Sequence, residues 1–326
     1  MKGLKKYAAI GFLAATLIAA GVLAFFSDQL DPSFIQVLTY VGINITLAVS
    51  LNLIIGYTGQ FSLCHAAFMA VGAYTSALLT TNAHPFITSL SAFVGTSFGT
   101  EIVFLGALVL GGLVAALAGL LVGVPSLRLH GDYLAIVTLG FGEIIRVLLL
   151  NTNVLGGAAG MTGIPAYTNL FWVFAVAAIT IYAVWGLINS TYGRGFLAVR
   201  DDEIAAEAMG INSTKYKVVA FVIGAFFAGV AGGLYAHCVQ FISPERFGFM
   251  QSIEVVVMVI LGGMGQMAGV VGAAGLLTFL NEWLRNLAEY RIIVYALLLI
   301  LLMILRPQGL LGGLSKFVRF RKPTQP

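Results

Sequence analysis

Long apolar runs separated by short polar stretches make up most of this chain. Many reach about 20 residues, which is the length that crosses roughly 30 Å of hydrocarbon as an α-helix. The pattern predicts an all-α integral membrane protein, a polytopic bundle of about ten transmembrane helices. Because some of the later runs are shorter or interrupted by glycine, the range is eight to ten. The runs lie at residues 7–26, 34–55, 62–81, 102–124, 133–150, 170–188, 218–238, 253–261, 268–280 and 292–305.

The predicted helices leave no sign of a second domain, so we expect residues 1–326 to form a single transmembrane domain. The first run follows Lys2, Lys5 and Lys6 and resembles a signal peptide in that respect. It is long for the apolar region of a signal peptide. We therefore expect it to be retained as a helix.

Composition excludes several classes of protein. Apolar residues make up 60% of the chain and charged residues only 9%, against about 25% charged in soluble domains. The basic residues lie between apolar runs rather than in a patch, which excludes nucleic acid as a partner. Glycine and alanine recur at spacings of four, which predicts close helix packing. These ladders are Ala115, Gly119, Gly123; Ala225, Gly229, Gly233; and Gly224, Ala228, Gly232.

The basic residues also predict the orientation of the chain in the membrane. With ten crossings and the N-terminus inside, only four of the 17 Lys and Arg residues fall outside: Arg146, Arg246, Arg285 and Arg291. Cytoplasmic loops carry the excess of such residues. We therefore expect both termini in the cytoplasm.

Residues 190–217 form a charge-rich segment in an otherwise nearly uncharged chain. They carry four basic and four acidic residues, and EIAAEAM within them has high helix propensity. We predict a surface helix from Asp201 to Met209 that ends at Gly210. Such a helix favours a cytoplasmic docking surface over a solvated connector. Its expected apolar face is Ala205, Ala206 and Met209, and its polar rim is Arg200, Asp202, Glu203 and Glu207.

A short motif occurs twice, at residues 54–60 and 260–266, as I-x-G-x-x-G-Q. Glycine-broken helices at corresponding places in a transporter indicate its pathway, because the freed backbone groups need a cavity or a protein partner. Packing alone also explains the glycines, and that alternative stays open. The candidate pathway residues are Asn52, Gly56, Gly59, Gln60, Ser62 and His65.

No motif for catalysis, nucleotide binding or metal binding is present in the sequence. None of the lysines lies in a P-loop, and the four histidines lack metal-ligand spacing. We therefore expect no enzyme activity and no cofactor or metal on this chain. Charges within apolar runs suggest two pairs, Glu143 with Arg146 and Glu282 with Arg285. Glu254 has no such local partner; it lines an outer mouth or is solvated at the membrane surface.

Several motifs together resemble the permeases of branched-chain amino acid ABC importers, and specifically the LivM type. The resemblance covers residues 44–313. Cys64 departs from it, since the family usually has glycine before the histidine. The motifs are GYTGQFSL at 56–63, HAAF at 65–68, GAY at 72–74, GDYLAIVTLGFGEIIR at 131–146, GR at 193–194, AVRDDE at 198–203, AA at 205–206, MGIN at 209–212, SPE at 243–245, LGGMG at 261–265 and RPQGL at 306–310.

The resemblance implies a function and a set of partners. It implies import of leucine, isoleucine or valine across the bacterial cytoplasmic (inner) membrane. The expected partners are a LivH-like companion permease, two cytoplasmic ATPase subunits that bind ATP and Mg²⁺, and an external substrate-binding protein. The lipid bilayer surrounds the two permeases. The charge-rich segment then corresponds to the ATPase-docking element, with Arg200, Asp201, Asp202, Glu203, Ala205, Ala206, Glu207, Met209 and Gly210 as its coupling residues.

Two alternatives stay open at the level of the sequence. Relatives of these importers carry urea or short amides. A passive channel for a small polar solute is the other alternative, although it needs no charge-rich docking helix.

Overall fold

A computed structural model describes residues 31–82, 96–126, 129 and 131–284, together with the isolated residues 21, 293, 296, 297 and 300. Apart from these isolated residues, the predicted first and last runs lie outside the described residues, as do both termini, Arg285 and Arg291. The helices are α1 Pro32–Thr58, α2 His65–Asn82, α3 Thr96–Ser126, α4 Asp132–Asn151, α5 Leu170–Ile188, α6 Thr191–Asp201, α7 Glu203–Ala208, α8 Ser213–Val239, α9 Phe249–Gly262 and α10 Met267–Trp283.

The described residues form helices and no β-strand, which confirms the all-α prediction. Within the described ranges, five helices are long and apolar enough to cross a membrane: α1, α3 from Gly99 onward, α4 from Tyr133 onward, α5 and α8. Helix α9 is apolar but shorter, with 14 residues. Short 3₁₀ turns at Asn153–Leu155, Gly157–Ala159 and Pro244–Phe247 complete the connections.

Helix α8 lies at the centre of the bundle and packs against α1, α2 and α3. The predicted ladders of small residues bring these helices into backbone contact. A Cβ atom on Gly232 would lie 1.9 Å from the Met69 carbonyl oxygen, and one on Gly72 would lie 2.1 Å from the Gly229 carbonyl oxygen. No side chain fits at these crossings, so the small residues determine how closely the central helices approach.

Polar side chains fix where several helices begin. The Asn169 carboxamide accepts from the Trp172 amide at the start of α5, and the Asn212 carboxamide accepts from the Lys215 amide at the start of α8. Ser190 caps α6 in the same way. These caps satisfy amides that have no partner within the helix.

The structure corrects the prediction for the charge-rich segment. A helix from Asp201 to Met209 is not continuous, because Asp202 is extended at φ −159° and separates α6 from α7. The Asp202 carboxylate accepts from the Ala205 amide and so begins a new helix. Gly210 has φ +84°, in agreement with the predicted exit, and Ser213 to Lys217 already belong to α8.

Replacing Gly232 by alanine tests the packing of the central helices. We expect Gly232→Ala to lower the melting temperature of the detergent-purified protein, because the added methyl group overlaps backbone atoms of α2 and overpacking costs about 1–3 kcal/mol. Gly106→Ala on α3 is the matched control, since nothing lies within 4 Å of its Cβ position. Equal melting temperatures for the two variants would contradict this account of the packing.

Candidate functional site

The two copies of the repeated motif lie at two helix ends. Helix α1 ends at Thr58, and Gly59 follows in the left-handed conformation with φ +71°. Helix α9 ends at Gly262, and the next turn contains Gly263 and Gly265 at φ +94° and +78°. L-residues with side chains rarely adopt these conformations, so the glycines permit both breaks.

The two helix ends contact each other, and we call Asn52, Gly56, Gly265 and Arg200 the helix junction. The Asn52 side-chain oxygen accepts a hydrogen bond from the Gly265 amide at 2.9 Å. A Cβ atom on Gly56 would lie 2.3 Å from that amide nitrogen and 2.1 Å from the Asn52 oxygen. The junction therefore requires glycine at residue 56.

Arg200 joins the charge-rich segment to this junction. Its Nη1 atom donates to the Gly56 carbonyl oxygen at 3.3 Å, at the broken end of α1. The Asp201 carboxylate accepts from Arg200 Nε at 3.0 Å and from Nη2 at 2.8 Å. The Asp201 carboxylate thus orients the guanidinium from one side. On its other side the guanidinium contacts Gly56, one of the pathway candidates.

Helix α7 is attached to the start of α8 by polar contacts. The Lys217 ammonium donates to the Glu203 carboxylate at 2.5 Å, and the Lys217 side chain is only 6% exposed. The Ser213 hydroxyl donates to the Glu207 carboxylate. Two members of the predicted polar rim therefore hold α7 on the bundle.

The outward face of α7 also differs from the prediction. Ala206 is buried within this chain, so it lies under the helix rather than on its exposed face. Ile204 and Met209 are each 82% exposed, and Ala205 and Gly210 are also exposed. Ile204, which the sequence analysis did not select, is the largest apolar side chain on this surface besides Met209.

Among the remaining pathway candidates, Gln60, Ser62 and His65 are buried, whereas Gly59 is exposed. His65 Nε2 and the Ser50 hydroxyl lie 2.9 Å apart, so the histidine is a hydrogen-bonded core residue. Ser62 lies 3.4 Å from the Cys64 sulfur. The Gln60 side chain is 2% exposed, and neither its oxygen nor its nitrogen has a hydrogen-bond partner; the Asn52 amide nitrogen likewise has none.

A polar cavity of about 320 Å³ lies elsewhere along α1, and none of the six pathway candidates lines it. Most of its lining residues are polar or charged, and three are apolar. They are Val37, Tyr40, Ile43 and Asn44 on α1, Met69 on α2, Tyr235 on α8, Arg246 in the 3₁₀ turn, Gln251 and Glu254 on α9, and Thr278, Asn281 and Glu282 on α10.

Helix α1 connects the cavity to the junction. Twelve residues separate Asn44 from Gly56, which is about 18 Å of α-helix. Leu47 and Leu51, on the turns between them, are fully buried. A solute in the cavity therefore meets a packed layer before it can reach the junction.

The charged pairs agree in part with the sequence analysis. Arg146 Nε donates to Glu143 at 2.7 Å, as predicted for residues three apart. Glu254 lines the cavity, which was one of its two proposed environments. Glu282 also lines it, whereas its predicted partner Arg285 lies outside the described residues. The sequence analysis missed the cavity role of Arg246, and its only signal was a charge beside the SPE motif.

No group of three or more His, Cys, Asp or Glu side chains that could hold a metal ion occurs among the residues that the structure describes. The candidate site consists of the junction, the exposed face of α7 and the polar cavity. Its chemistry is hydrogen bonding and charge pairing. This arrangement is suited to conformational change and to solute binding.

Substituting Gly56 tests the helix junction. We expect Gly56→Ala to separate the ends of α1 and α9, since its methyl group overlaps the Gly265 amide, and to lower solute uptake about tenfold or more while the chain still inserts. Uptake into cells, corrected for membrane levels, measures this. Gly142→Ala is the control, because its Cβ would make ordinary contacts of 3.6 Å or longer. Full uptake by Gly56→Ala would show that the junction tolerates separation.

Known proteins similar to this chain are transport permeases. Residues 33–305 match the family model described as a branched-chain amino acid transport system permease component. The LivM high-affinity branched-chain amino acid permeases of Salmonella typhimurium and Escherichia coli are each 37% identical to it, over 92% of this chain and 74% of theirs. The LivH permease of Escherichia coli is 25% identical over 82% of this chain and 90% of its own.

No solved structure matches the chain. The family model nevertheless covers most of the sequence, including α1 to α10 apart from Pro32. Together with the apolar helices, this match makes the chain a multi-pass membrane protein. The chain belongs to the family of permease components of branched-chain amino acid transport systems.

Proposed function

We propose that this chain forms the translocation pathway for leucine, isoleucine and valine in an ATP-driven importer. The observation that carries the proposal is the family match over residues 33–305, supported by relatives that are named branched-chain amino acid permeases. The chain acts as a transport subunit without its own ATP hydrolysis. ATP and Mg²⁺ bind to partner subunits.

The proposed complex contains four kinds of subunit. A LivH-like companion permease completes the membrane part, two ATPase subunits bind on the cytoplasmic side, and an external binding protein delivers the amino acid. The similarity of this chain to both LivM and LivH permeases supports a pair of related membrane subunits. The exposed face of α7, with Ile204, Ala205 and Met209, supplies the surface for an ATPase subunit.

The coupling mechanism follows from the contacts of Arg200. When the ATPases close, they displace α6 and α7, and Arg200 transmits the displacement to the ends of α1 and α9 through Gly56. The movement opens the packed layer at Leu47 and Leu51 toward the cytoplasm and closes the polar cavity toward the outside. Such alternation is a shift between two packings of the same helices.

The orientation in this proposal rests on the distribution of basic residues. About ten helices cross the bacterial inner membrane, with both termini and the charge-rich segment in the cytoplasm. The polar cavity then faces the outside, because α1 leads from it to the junction. The predicted pathway residues Asn52, Gly56, Gly59, Gln60 and Ser62 lie toward the cytoplasmic side of the packed layer, whereas His65 contacts Ser50 within the layer. They act in its opening.

Transport by the reconstituted complex tests the proposed function. The binding protein and labelled leucine are placed on one side of a vesicle membrane, and ATP on the side that bears the charge-rich segment. We expect leucine, isoleucine and valine to stimulate ATP hydrolysis and to enter the ATP compartment. If only urea or short amides stimulate ATP hydrolysis, the transported solute is one of these and not an amino acid. Uptake without ATP would indicate a passive channel.

Gly210 tests the docking role of α7. A β-branched residue at φ +84° is disfavoured by about 1–2 kcal/mol, so Gly210→Val displaces the exit from α7 and weakens ATPase binding about tenfold. Gly210→Asn is the matched control, since asparagine tolerates this conformation. Co-purification of the ATPases measures binding. Normal binding by Gly210→Val, with normal stimulated hydrolysis, would make the segment a connector only.

A further inference from the structure

We propose that the polar cavity is a binding site for the amino acid zwitterion, with Arg246 holding its carboxylate and Glu254 and Glu282 holding its ammonium group. The inference rests on the proposed function and assigns the transported solute a site on this chain. It places recognition of the solute in the permease as well as in the binding protein.

The charges around the cavity match both ends of an amino acid. Arg246 offers a planar fork of donors that fits a carboxylate with two parallel hydrogen bonds. Two carboxylates, Glu254 and Glu282, line the same cavity and accept from an ammonium group. Arg246 and both carboxylates line this one cavity of about 320 Å³, so the opposite charges surround one small volume.

The elements around these charges hold them in place. Arg246 lies in the Pro244–Phe247 turn and hydrogen-bonds the Tyr235 hydroxyl. The Tyr235 ring packs between the rings of Tyr40 and Phe247, with distances between ring centroids of 6.3 Å and 6.0 Å. On the other side, the Asn44 amide donates to the Thr278 hydroxyl at 2.9 Å and joins α1 to α10. The site is thus built from six separate elements.

The apolar lining suits an aliphatic side chain. Val37, Ile43 and Met69 contribute to the wall beside the charged groups. A thioether such as that of Met69 adapts its shape to branched side chains of different form. The volume of about 320 Å³ lies at the lower end of the range for ligand sites. A small amino acid therefore fits.

This lining also separates zwitterions from neutral solutes. Urea and short amides carry no formal charge, so they form no ionic contact with the guanidinium or the carboxylates. Hydrogen bonds between charged groups are about twice as strong as those between neutral groups. The cavity is therefore expected to favour an amino acid over a neutral amide of similar size.

Paired changes in protein and ligand test the assignment. Equilibrium binding of radiolabelled leucine and leucinamide is measured on the purified complex of permeases and ATPases, without the binding protein, at a pH where both amines are protonated. We expect Arg246→Gln to weaken leucine binding roughly 10- to 100-fold and not to weaken leucinamide binding, since leucinamide has no carboxylate and its ammonium group is repelled by the guanidinium. Glu254→Gln weakens both ligands alike, because both carry the ammonium group.

Glu245→Gln is the matched control, since Glu245 is exposed beside Arg246 and does not line the cavity. It should bind both ligands like the unaltered complex. Equal losses of leucine and leucinamide binding in Arg246→Gln would overturn the assignment of the carboxylate, as would unchanged leucine binding. Absence of leucine binding at millimolar concentrations, in a complex that still imports leucine with ATP and the binding protein, would refute this site while the proposed function stands.

Discussion

The backbone contact between the ends of α1 and α9 is the constraint on which the rest of the site depends. Gly56 and Gly265 approach so closely that no side chain fits at residue 56, and the Asn52 side chain closes the contact with a 2.9 Å hydrogen bond. Helix α1 ends two residues after Gly56 and α9 ends three residues before Gly265, so carbonyl groups without helical partners are left there. Arg200 donates to one of these carbonyl groups and thereby joins a surface segment to the helix core.

The small-residue faces of the central bundle give this contact a firm support. Gly229 and Gly232 on α8 meet the backbone of α2, and Gly224 receives Ile54 of α1. Close-packed helices transmit displacement because their interfaces resist gradual deformation. In the proposed mechanism, movement at the junction therefore reaches the α1 turns at Leu47 and Leu51 and, beyond them, the polar cavity.

Much of the fold was predictable because membrane helices depend on local composition. The run at 170–188 coincides with α5, since it is uniformly apolar and begins directly after a capping asparagine. The break at Asp202 was missed because an acidic residue stabilises both a helix cap and a first turn. The burial of Ala206 and the exposure of Ile204 depend on how α7 lies on α8, which a six-residue helix cannot indicate by periodicity.

The site was predictable only in outline. The repeated glycine motif located both helix ends, but their mutual contact joins residues 213 apart in the chain, and Arg200 and Gly56 are 144 apart. No local pattern encodes such contacts. In the sequence Arg246 appeared only as a charge beside the SPE motif and Glu282 as a partner for Arg285, because the cavity that unites them is formed by six elements.

The central claim is that the charge-rich segment and the helix junction move as one unit. Spin labels at Ala208 and Met264, both exposed, measure the distance between the two in the assembled complex, with Cys64 and Cys238 replaced. A second pair, Ala208 and the exposed Val154, spans the bundle. On trapping with ATP, the account predicts an unchanged distance for the first pair and a shifted distance for the second. A shift between Ala208 and Met264 would contradict it, because the segment would then move without the junction.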